Sequence, residues 1–403
     1  MLGPGILFAS TAIGVSHLVQ STRAGAGFGF ALVVFVLMAN IFKYPFFEFG
    51  SRYANVTGES LIHGYKRQGV IFLVLYLIIT LCSMFVVIAA VSLVCSGLMI
   101  ELFDIRLNIH QVTLILFACC VVILISGRYS FLENFVKLIS VILLISTLSA
   151  FIFAVFNGPI PESEGFAPPN IFSDKSILFI IALMGWMPTA VDLSTWNSIW
   201  TVEKIKSESR KISLRETLFD FNIGYSLAIV LSLCFITLGA YVMYGTGHDL
   251  SNLNSSEFAS KLVGLYTKTL GDWSYWIIAI CAFSVMFSTT IACFDGYARS
   301  IQQTFELLFY SISSYRIYLI CLLLTSIGGY IIIWKFMSSF SQLIDLATTI
   351  SFVIAPFCAI LNYKVVHSKL VPKEFQPPFW LKVLSYLGII YLIFFLIVFI
   401  IYF

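Results

Sequence analysis

The sequence predicts an all-α protein that crosses a membrane many times, and three observations support this fold class. Of the 403 residues, 60% are hydrophobic and only 11% are charged, whereas soluble domains carry roughly 25% charged residues. Long runs of Leu, Ile, Val and Phe recur along the chain without the alternation of a transmembrane β-barrel. The composition excludes an ordinary soluble enzyme and a disordered chain. A net charge of +3 is too small to indicate nucleic-acid binding.

Eleven stretches are long and apolar enough to form transmembrane helices, each of which needs about 20 residues. They run over residues 4–24, 28–50, 70–100, 109–127, 131–156, 175–199, 216–243, 273–298, 316–335, 341–365 and 380–403. The first stretch lacks a basic leading segment and is followed by further spans, so we interpret it as a helix rather than a signal peptide.

The distribution of Lys and Arg predicts the orientation of the chain. These residues concentrate in loops on one side, above all in the segment KIKSESRKISLR between the sixth and seventh spans. Because basic loops stay in the cytoplasm, we expect a cytoplasmic N-terminus and, after eleven spans, a C-terminus outside. The expected membrane is the inner (plasma) membrane of a bacterium.

Two spans carry helix-breaking residues near their middles. The first contains Gly14-Val15-Ser16, and in the sixth Gly185 is followed by Met187-Pro188-Thr189. Proline removes a backbone donor and clashes with the preceding turn. Interrupted spans at matching places in two halves indicate a transporter binding site. A simple proline kink with glycine packing is the alternative interpretation.

The two interrupted spans are five apart, which predicts an inverted repeat of five plus five helices. The first repeat would cover residues 1–156 and the second residues 173–366, with an extra eleventh helix at 379–403. Together they form a single transmembrane transporter domain with discontinuous helices 1 and 6.

Several segments resemble the natural-resistance-associated macrophage protein (NRAMP) family. GPGILFASTAIGVSHLVQSTRAGAGFGF resembles the family's first span, and TGESL at 57–61 resembles the loop after its second. GRYSFLE at 127–133 resembles the start of its fifth span, and Met187-Pro188 matches the first two letters of its MPH motif. The resemblance implies a LeuT-like fold and secondary transport, in the typical case proton-coupled uptake of Mn²⁺ or Fe²⁺.

The sequence departs from this family at the metal-binding positions. The family's Asp-Pro-Gly-Asn motif is replaced by Gly-Val-Ser-His at 14–17, and its two sixth-span histidines correspond to Thr189 and Ser194. Its acidic pair in the third span has no counterpart, since residues 70–100 contain no Asp or Glu. Only Met187 remains of the family's ligands, and a thioether is a soft, uncharged ligand. The resemblance therefore implies an altered substrate or coupling mechanism.

The candidate substrate-binding residues lie at the two breaks. They are Gly14, Ser16, His17, Met187, Thr189 and Asp192. Among them Met187, Asp192 and His17 are candidate metal ligands. His17 could ligate a metal, titrate near neutral pH, or be a satisfied interior histidine. Asp192 could replace the missing first-span carboxylate, bind a coupling proton or Na⁺, or form a structural pair.

Three further acids are candidates for the coupling or transport pathway. Asp220 opens the seventh span and could instead be a helix-start acid favoured by the dipole. Asp295 precedes Arg299 by four residues, which favours an ion pair along one helix. Asp345 lies in a polar cluster early in the tenth span.

Other ionisable and aromatic residues receive structural interpretations. We expect Lys43 and Glu48 to extend toward the inner membrane surface, and Glu133 to pair with Lys137 in the fifth span. Arg23 should attract anions into an outward vestibule. The tryptophans that flank the sixth-span break are either gate aromatics or, more simply, packing residues.

Three classes of function remain open. The leading hypothesis is an NRAMP-like transporter that moves a divalent metal cation by alternating access, coupled to a proton or another ion. The alternative is a LeuT-like carrier of an amino acid or carboxylate coupled to H⁺ or Na⁺, and the third is a non-transporting receptor or scaffold. An enzyme is not expected, because no phosphate-binding loop or nucleophile elbow is present. The expected partners are the cargo, a coupling cation and the lipid bilayer, with no cofactor and no nucleic acid.

Overall fold

The computed structural model describes residues 4–126, 129–208, 210–246, 253–309, 314–336 and 340–402. Within these ranges the regular secondary structure is entirely helical. The α-helices are α1 (Pro4–Ala12), α2 (Thr22–Phe28), α3 (Val33–Thr57), α4 (Leu61–Gln68), α5 (Val70–Phe103), α6 (Ile109–Ile125), α7 (Tyr129–Asn157), α8 (Asp174–Gly185), α9 (Ser194–Ser207), α10 (Leu214–Val242), α11 (Ser255–Leu270), α12 (Tyr275–Leu308), α13 (Ser314–Phe336), α14 (Phe340–Val366) and α15 (Phe379–Tyr402).

Seven helices of the described residues are each long and apolar enough to cross a membrane. They are Val33–Thr57, Val70–Phe103, Leu214–Val242, Asp272–Leu308, Tyr315–Lys335, Phe340–Val366 and Phe379–Tyr402. Two shorter apolar helices, Ile109–Ile125 and Val141–Asn157, accompany them. The predicted all-α membrane fold is therefore confirmed at this level.

Large apolar side chains cover the outer faces of the helices. Trp334 of α13 is 70% exposed and Ile400 of α15 is 68% exposed. A soluble protein rarely exposes such continuous apolar surface, whereas lipid tails solvate it at no cost. The exposed faces are the expected contact with the bilayer.

Both predicted helix breaks are present. The first span consists of α1, a π-helical segment Ser16–Ser21 and α2, and Ile13 to Val15 separate the first two parts. The sixth span consists of α8, a 3₁₀ turn Val191–Leu193 and α9, with an irregular stretch before the turn. Backbone groups freed at such breaks need partners inside the protein.

Glycine at each break permits a close approach to a neighbouring helix. A Cβ atom on Gly14 would lie 2.8 Å from Cγ2 of Thr289 in α12. A Cβ atom on Gly185 would lie only 2.0 Å from the carbonyl oxygen of Thr348 in α14. A larger residue at position 185 would clash with the backbone of α14, whereas one at position 14 would require the Thr289 side chain of α12 to shift.

The broken spans occupy the interior of the helix bundle. The seventh-span helix α10 packs along both α1 and α2, and α14 packs along α8. Helices α5 and α12 pack extensively against each other. This arrangement places the first break opposite the sixth-span break, so that both lie among α5, α10, α12 and α14.

Two helices lie in segments that the sequence analysis treated as loops. Helix α4 follows the second span, and α11 lies between the seventh and eighth spans. Helix α11 begins with a reciprocal capping box between Asn254 and Glu257, an arrangement that satisfies two orphan backbone donors. Neither helix contains the run of about 20 apolar residues that predicts a membrane span.

Candidate functional site

A small cavity of about 30 Å³ lies between the two breaks. We call it the break cavity. It is lined by Thr11, Val15, Ser16, Val87, Val91, Trp186, Thr189, Ala190, Leu193, Thr289 and Cys293. A volume of this size accommodates a guest about as large as one or two water molecules. The predicted site residues Ser16 and Thr189 therefore come together, from the first and sixth spans.

The hydroxyl groups on the wall of the break cavity are potential ligands for a cation. Thr11 donates to the Leu7 carbonyl oxygen at 2.8 Å, and the Ser16 hydroxyl, which has one hydrogen to donate, lies 2.6 Å from the Ala12 carbonyl oxygen and 2.7 Å from Nδ1 of His17. A hydroxyl that has donated its hydrogen keeps its lone pairs as acceptors. These side chains are therefore suited to an electropositive guest.

The α12 wall of the cavity is tied to the first span. Thr289 donates to the Ser10 carbonyl oxygen at 3.2 Å, and the hydroxyls of Ser10 and Ser288 lie 3.0 Å apart. Cys293, one turn further along α12, also lines the cavity. The eighth span thus contributes to the site, as its Ser-Thr-Thr sequence indicates.

His17 is engaged away from the break cavity. Its Nε2 atom lies 2.8 Å from the carbonyl oxygen of Ala228 in α10, and its Nδ1 atom lies 2.7 Å from the Ser16 hydroxyl. The side chain is fully buried. Both ring nitrogens have hydrogen-bond partners, so His17 corresponds to the satisfied interior histidine in this conformation.

Met187 is buried on the other side of the broken sixth span. The hydroxyl of Ser21 donates to its sulfur at 3.8 Å, and neither residue lines the break cavity. Met187 is completely shielded from solvent. Its thioether therefore faces the start of α2 rather than the hydroxyl groups of the cavity.

Asp192 is a buried acid in the 3₁₀ turn of the sixth span. It is only 3% exposed, and no donor among the described residues contacts its Oδ1 atom. The opposite charge with which it interacts electrostatically is Lys43. Among the described residues, no group of three or more His, Cys, Asp or Glu side chains could hold a metal ion. In this structure the three candidate metal ligands have different partners: the Ser21 hydroxyl for Met187, Lys43 for Asp192, and Ser16 with the Ala228 carbonyl for His17.

The interpretation of Lys43 and Glu48 as residues that extend to the membrane surface is wrong. Lys43 is fully buried, and its ammonium donates to the carbonyl oxygens of Met184 and Gly185 at 2.6 and 2.8 Å. Glu48 is 2% exposed and pairs with Arg52 at 2.5 Å. The Lys43 charge is satisfied by the sixth span, which sequence position alone does not reveal, whereas Glu48 is satisfied by the residue four positions further along its own helix.

Asp220 is part of α10, but its side chain caps the start of α1. It lies in the second turn of α10, and its Oδ2 atom accepts a hydrogen bond from the backbone nitrogen of Gly5 at 2.7 Å. Gly5 is in the first turn of α1, where backbone N–H groups lack intrahelical partners. The acid therefore stabilises the start of the first span, and the interpretation as the opening acid of its own helix is wrong.

Asp295 forms the predicted pair with Arg299 at 2.8 Å, and the Tyr318 hydroxyl also donates to it at 2.8 Å. The side chains of the predicted pair, Glu133 and Lys137, lie outside the part of the chain whose side chains the structure describes. Trp196 packs edge-on against Tyr297 with ring centroids 4.7 Å apart, which is a packing role.

The interpretation of Arg23 as a free attractor of anions is wrong. Its guanidinium contacts both carboxylate oxygens of Asp345, at 2.6 and 3.1 Å, and also binds Gln20 at 2.9 Å. It stacks over the Phe179 ring at 5.0 Å. Asp345 therefore joins the first span to the tenth, with Gln20 bonded both to it and to Thr348.

A larger cavity of about 360 Å³ lies beside the start of α1. It is formed by the beginning of α1, the end of α9 and the beginning of α10, and its wall includes Asp220 together with Lys204 and Arg210. These elements are continuous with the two broken spans. The cavity therefore lies at one end of the helices that surround the break cavity.

Comparison with known proteins places these features in a family. The family model "Natural resistance-associated macrophage protein-like" matches residues 5–402. The uncharacterized protein PM0681 of Pasteurella multocida is 34% identical over 405 residues, which cover 99% of this chain and 91% of that protein. The divalent metal cation transporter MntH of Latilactobacillus sakei is 26% identical over 262 residues, covering 62% of this chain and 56% of that protein.

Solved structures support the same fold. A mutant of the manganese transporter of Eremococcus coleocola superposes with a TM-score of 0.75 at 16% identity, covering 98% of this chain and 85% of that one. Mhp1, a nucleobase-cation-symport-1 family transporter, gives 0.63 at 15% identity, covering 99% and 91%. These likenesses confirm the LeuT-like fold class. With its match along nearly the whole length, the chain belongs to the natural resistance-associated macrophage protein-like family of membrane transporters.

Proposed function

We propose that the protein is a secondary transporter that moves a divalent metal cation across the membrane by alternating access, coupled to a proton or another ion. The observation that carries this proposal is the meeting of two broken spans at a hydroxyl-lined cavity. Oxygen ligands suit hard divalent cations such as Mn²⁺ and Mg²⁺. Membership of the NRAMP-like family supports the same substrate class.

Uptake into proteoliposomes tests this proposal. Purified protein should accumulate Mn²⁺, Fe²⁺ or Mg²⁺ when an inward proton gradient is imposed. Thr289→Val removes one cavity hydroxyl at nearly constant volume and should raise the half-saturating metal concentration roughly tenfold. Thr325→Val is the matched control, because that buried hydroxyl bonds only within α13. Absence of uptake of every metal by folded protein would contradict the proposal.

A small organic solute, such as an amino acid or carboxylate carried with H⁺ or Na⁺, is the second candidate. It is favoured by the chemistry of the break cavity's wall, which carries hydroxyl and apolar groups and, among the described residues, no carboxylate, and it requires the cavity to widen beyond its present volume of about 30 Å³ during transport. A bound ligand raises the thermal midpoint by mass action. Stabilisation by an organic acid but by none of the three metals would select this candidate.

We also propose eleven membrane spans in two inverted five-helix repeats, with the N-terminus in the cytoplasm of a bacterial cell and the C-terminus outside. The cavity beside the start of α1 would then be the inward vestibule. Arg106→Cys should react with an impermeant maleimide in intact cells, whereas Ser207→Cys should react only after lysis. Both positions are exposed in the structure, so the reverse pattern would overturn this orientation.

A further inference from the structure

The side chain of Lys43 ends at the break in the sixth span. It extends from the middle of α3 and is fully shielded from solvent. Its Nζ atom lies 2.6 Å from the Met184 carbonyl oxygen, 2.8 Å from that of Gly185 and 3.4 Å from that of Thr189. Three carbonyl groups of one interrupted helix thus converge on one ammonium group.

The Met184 and Gly185 carbonyls face the ammonium because α8 stops at Gly185, although the Met184 oxygen also accepts from the Met187 N–H at 3.4 Å, and Thr189 lies in the irregular stretch that follows. The last carbonyls of a helix have no intrahelical partner, and they carry the partial negative charge of the helix dipole. Such an end attracts a cation. Irregular backbone around a cavity inside a transporter often coordinates a coupling cation in this way.

The Lys43 ammonium has as many N–H donors as there are carbonyl oxygens around it. A charged ammonium has three N–H donors and no acceptor, and the structure presents three carbonyl oxygens. A neutral amine would bring two donors and a lone pair, which would leave one carbonyl facing the lone pair. The geometry therefore favours the charged form.

Asp192 supplies the opposite charge. It is buried in the turn that follows the break, interacts electrostatically with Lys43 and has an Oδ1 atom that no described donor contacts. Asp192 also interacts electrostatically with the hydroxyl-bearing side chains of Tyr65, Tyr76 and Tyr297 and with the thiols of Cys293 and Cys358. Lys43 and Asp192 together leave the break without net charge.

We propose that the carbonyl end of α8, together with Asp192, is a site for a monovalent cation, and that the Lys43 ammonium fills it as a tethered cation. An inorganic ion cannot enter while the ammonium is in place. Removal of the ammonium should expose a vacant site that accepts a free primary ammonium ion. This inference holds whichever solute the protein carries, so it goes beyond the proposed function.

Chemical rescue tests the proposal directly. Lys43→Ala removes the part of the side chain that n-propylammonium would replace, carbon for carbon. We expect the variant in detergent to lose about 5 °C in thermal midpoint, because three carbonyls and one carboxylate lose their cation. Millimolar n-propylammonium should recover at least half of that loss.

Three controls make the rescue specific. Tetramethylammonium carries the charge but has no N–H donors, and 1-propanol fills space without charge, so neither should rescue the variant. Lys66→Ala is the matched substitution, because Lys66 also donates to a backbone carbonyl, that of Leu307, away from the break. It should show no response to n-propylammonium. Equal stability of Lys43→Ala and wild type, or equal rescue by 1-propanol, would overturn the proposal.

A measurement on the wild-type protein covers the case in which Lys43→Ala does not fold. With ¹⁵N at lysine Nζ and ¹³C at methionine carbonyls, solid-state NMR in bilayers should show a short-range dipolar coupling from the contact with Met184. The coupled nitrogen should have the chemical shift of a charged ammonium. Absence of this coupling, or the shift of a neutral amine, would refute the tethered cation.

Discussion

Arg23 and Asp345 form a two-point salt bridge between α2 and α14, with Nη1–Oδ1 at 2.6 Å and Nη2–Oδ2 at 3.1 Å. The residues are 322 positions apart in the sequence. Gln20 bonds to both partners, which fixes the pair from the side of the first span. The second half of the broken first span is thereby fastened to the tenth span.

Breaking this salt bridge should destabilise the protein more than breaking an ordinary surface pair. The side chains of Arg23 and Asp345 are 9% and 36% exposed, so water screens the pair only in part. A double-mutant cycle with Arg23→Ala and Asp345→Ala should give a coupling of about 1 kcal/mol. Thermal unfolding of the four proteins at low and high salt measures it.

The matched control is the pair of Arg67 and Glu59, whose side chains are 47% and 29% exposed. The stability losses of the two single substitutions should nearly add up in the double variant, with a coupling energy close to zero at high salt. Equal coupling energies for the two pairs would show that the bridge between α2 and α14 is no stronger than a surface contact.

Gly185→Ala should abolish correct packing of the sixth span. Its Cβ would lie 2.0 Å from the Thr348 carbonyl oxygen, a backbone atom that cannot move aside as a side chain does. We expect a loss of several kcal/mol in stability and loss of uptake. Gly27→Ala is the control, because a Cβ there meets nothing within 4 Å. A Gly185→Ala variant as stable as Gly27→Ala would disprove the close approach.

Asp220→Ala should weaken the start of the first span. The substitution removes the acceptor of the Gly5 backbone N–H, which is a buried donor, so it should cost about 1–2 kcal/mol. Asp220→Asn keeps an acceptor and should retain most of the stability. Hydrogen exchange in the first turn of α1 should rise for the Ala variant alone, and a rise of equal size in both would contradict the cap.

Cys293 should report on the break cavity during transport. It is 3% exposed and lines the cavity, so a small thiol reagent should reach it only when the cavity opens. In a protein that keeps Cys293 alone, saturating cargo should slow the labelling severalfold. The control is a second protein that keeps only Cys95, which is buried in α5 and does not line the cavity. If no tested cargo changes the rate at which Cys293 is labelled, the break cavity is not part of the transport pathway.

Local sequence properties were sufficient for the helical membrane class and for both breaks. Apolar runs of about 20 residues predict membrane helices because the hydrocarbon core requires that length. The breaks follow from Gly14, Gly185 and Pro188, because glycine and proline act on the backbone at their own positions. Helices α4 and α11 were not predicted because they are shorter and more polar than a membrane-spanning helix.

The polar contacts of the site did not follow from local properties. Spacing of four along one helix correctly predicted the pair of Asp295 with Arg299. The same kind of reasoning failed for Lys43, Arg23 and Asp220, whose partners lie 141, 322 and 215 residues away. No spacing rule reaches a partner on another helix.

The sequence by itself therefore determined the membrane location, the helical class and the two interrupted spans, because hydrocarbon length and backbone chemistry act locally. Only the tertiary structure decided what each buried charge does. A charge in a low-dielectric interior must find a partner, and packing of distant helices selects that partner. Thus Lys43 meets the carbonyl end of α8, Arg23 meets Asp345, and hydroxyls from the first, sixth and eighth spans surround the break cavity.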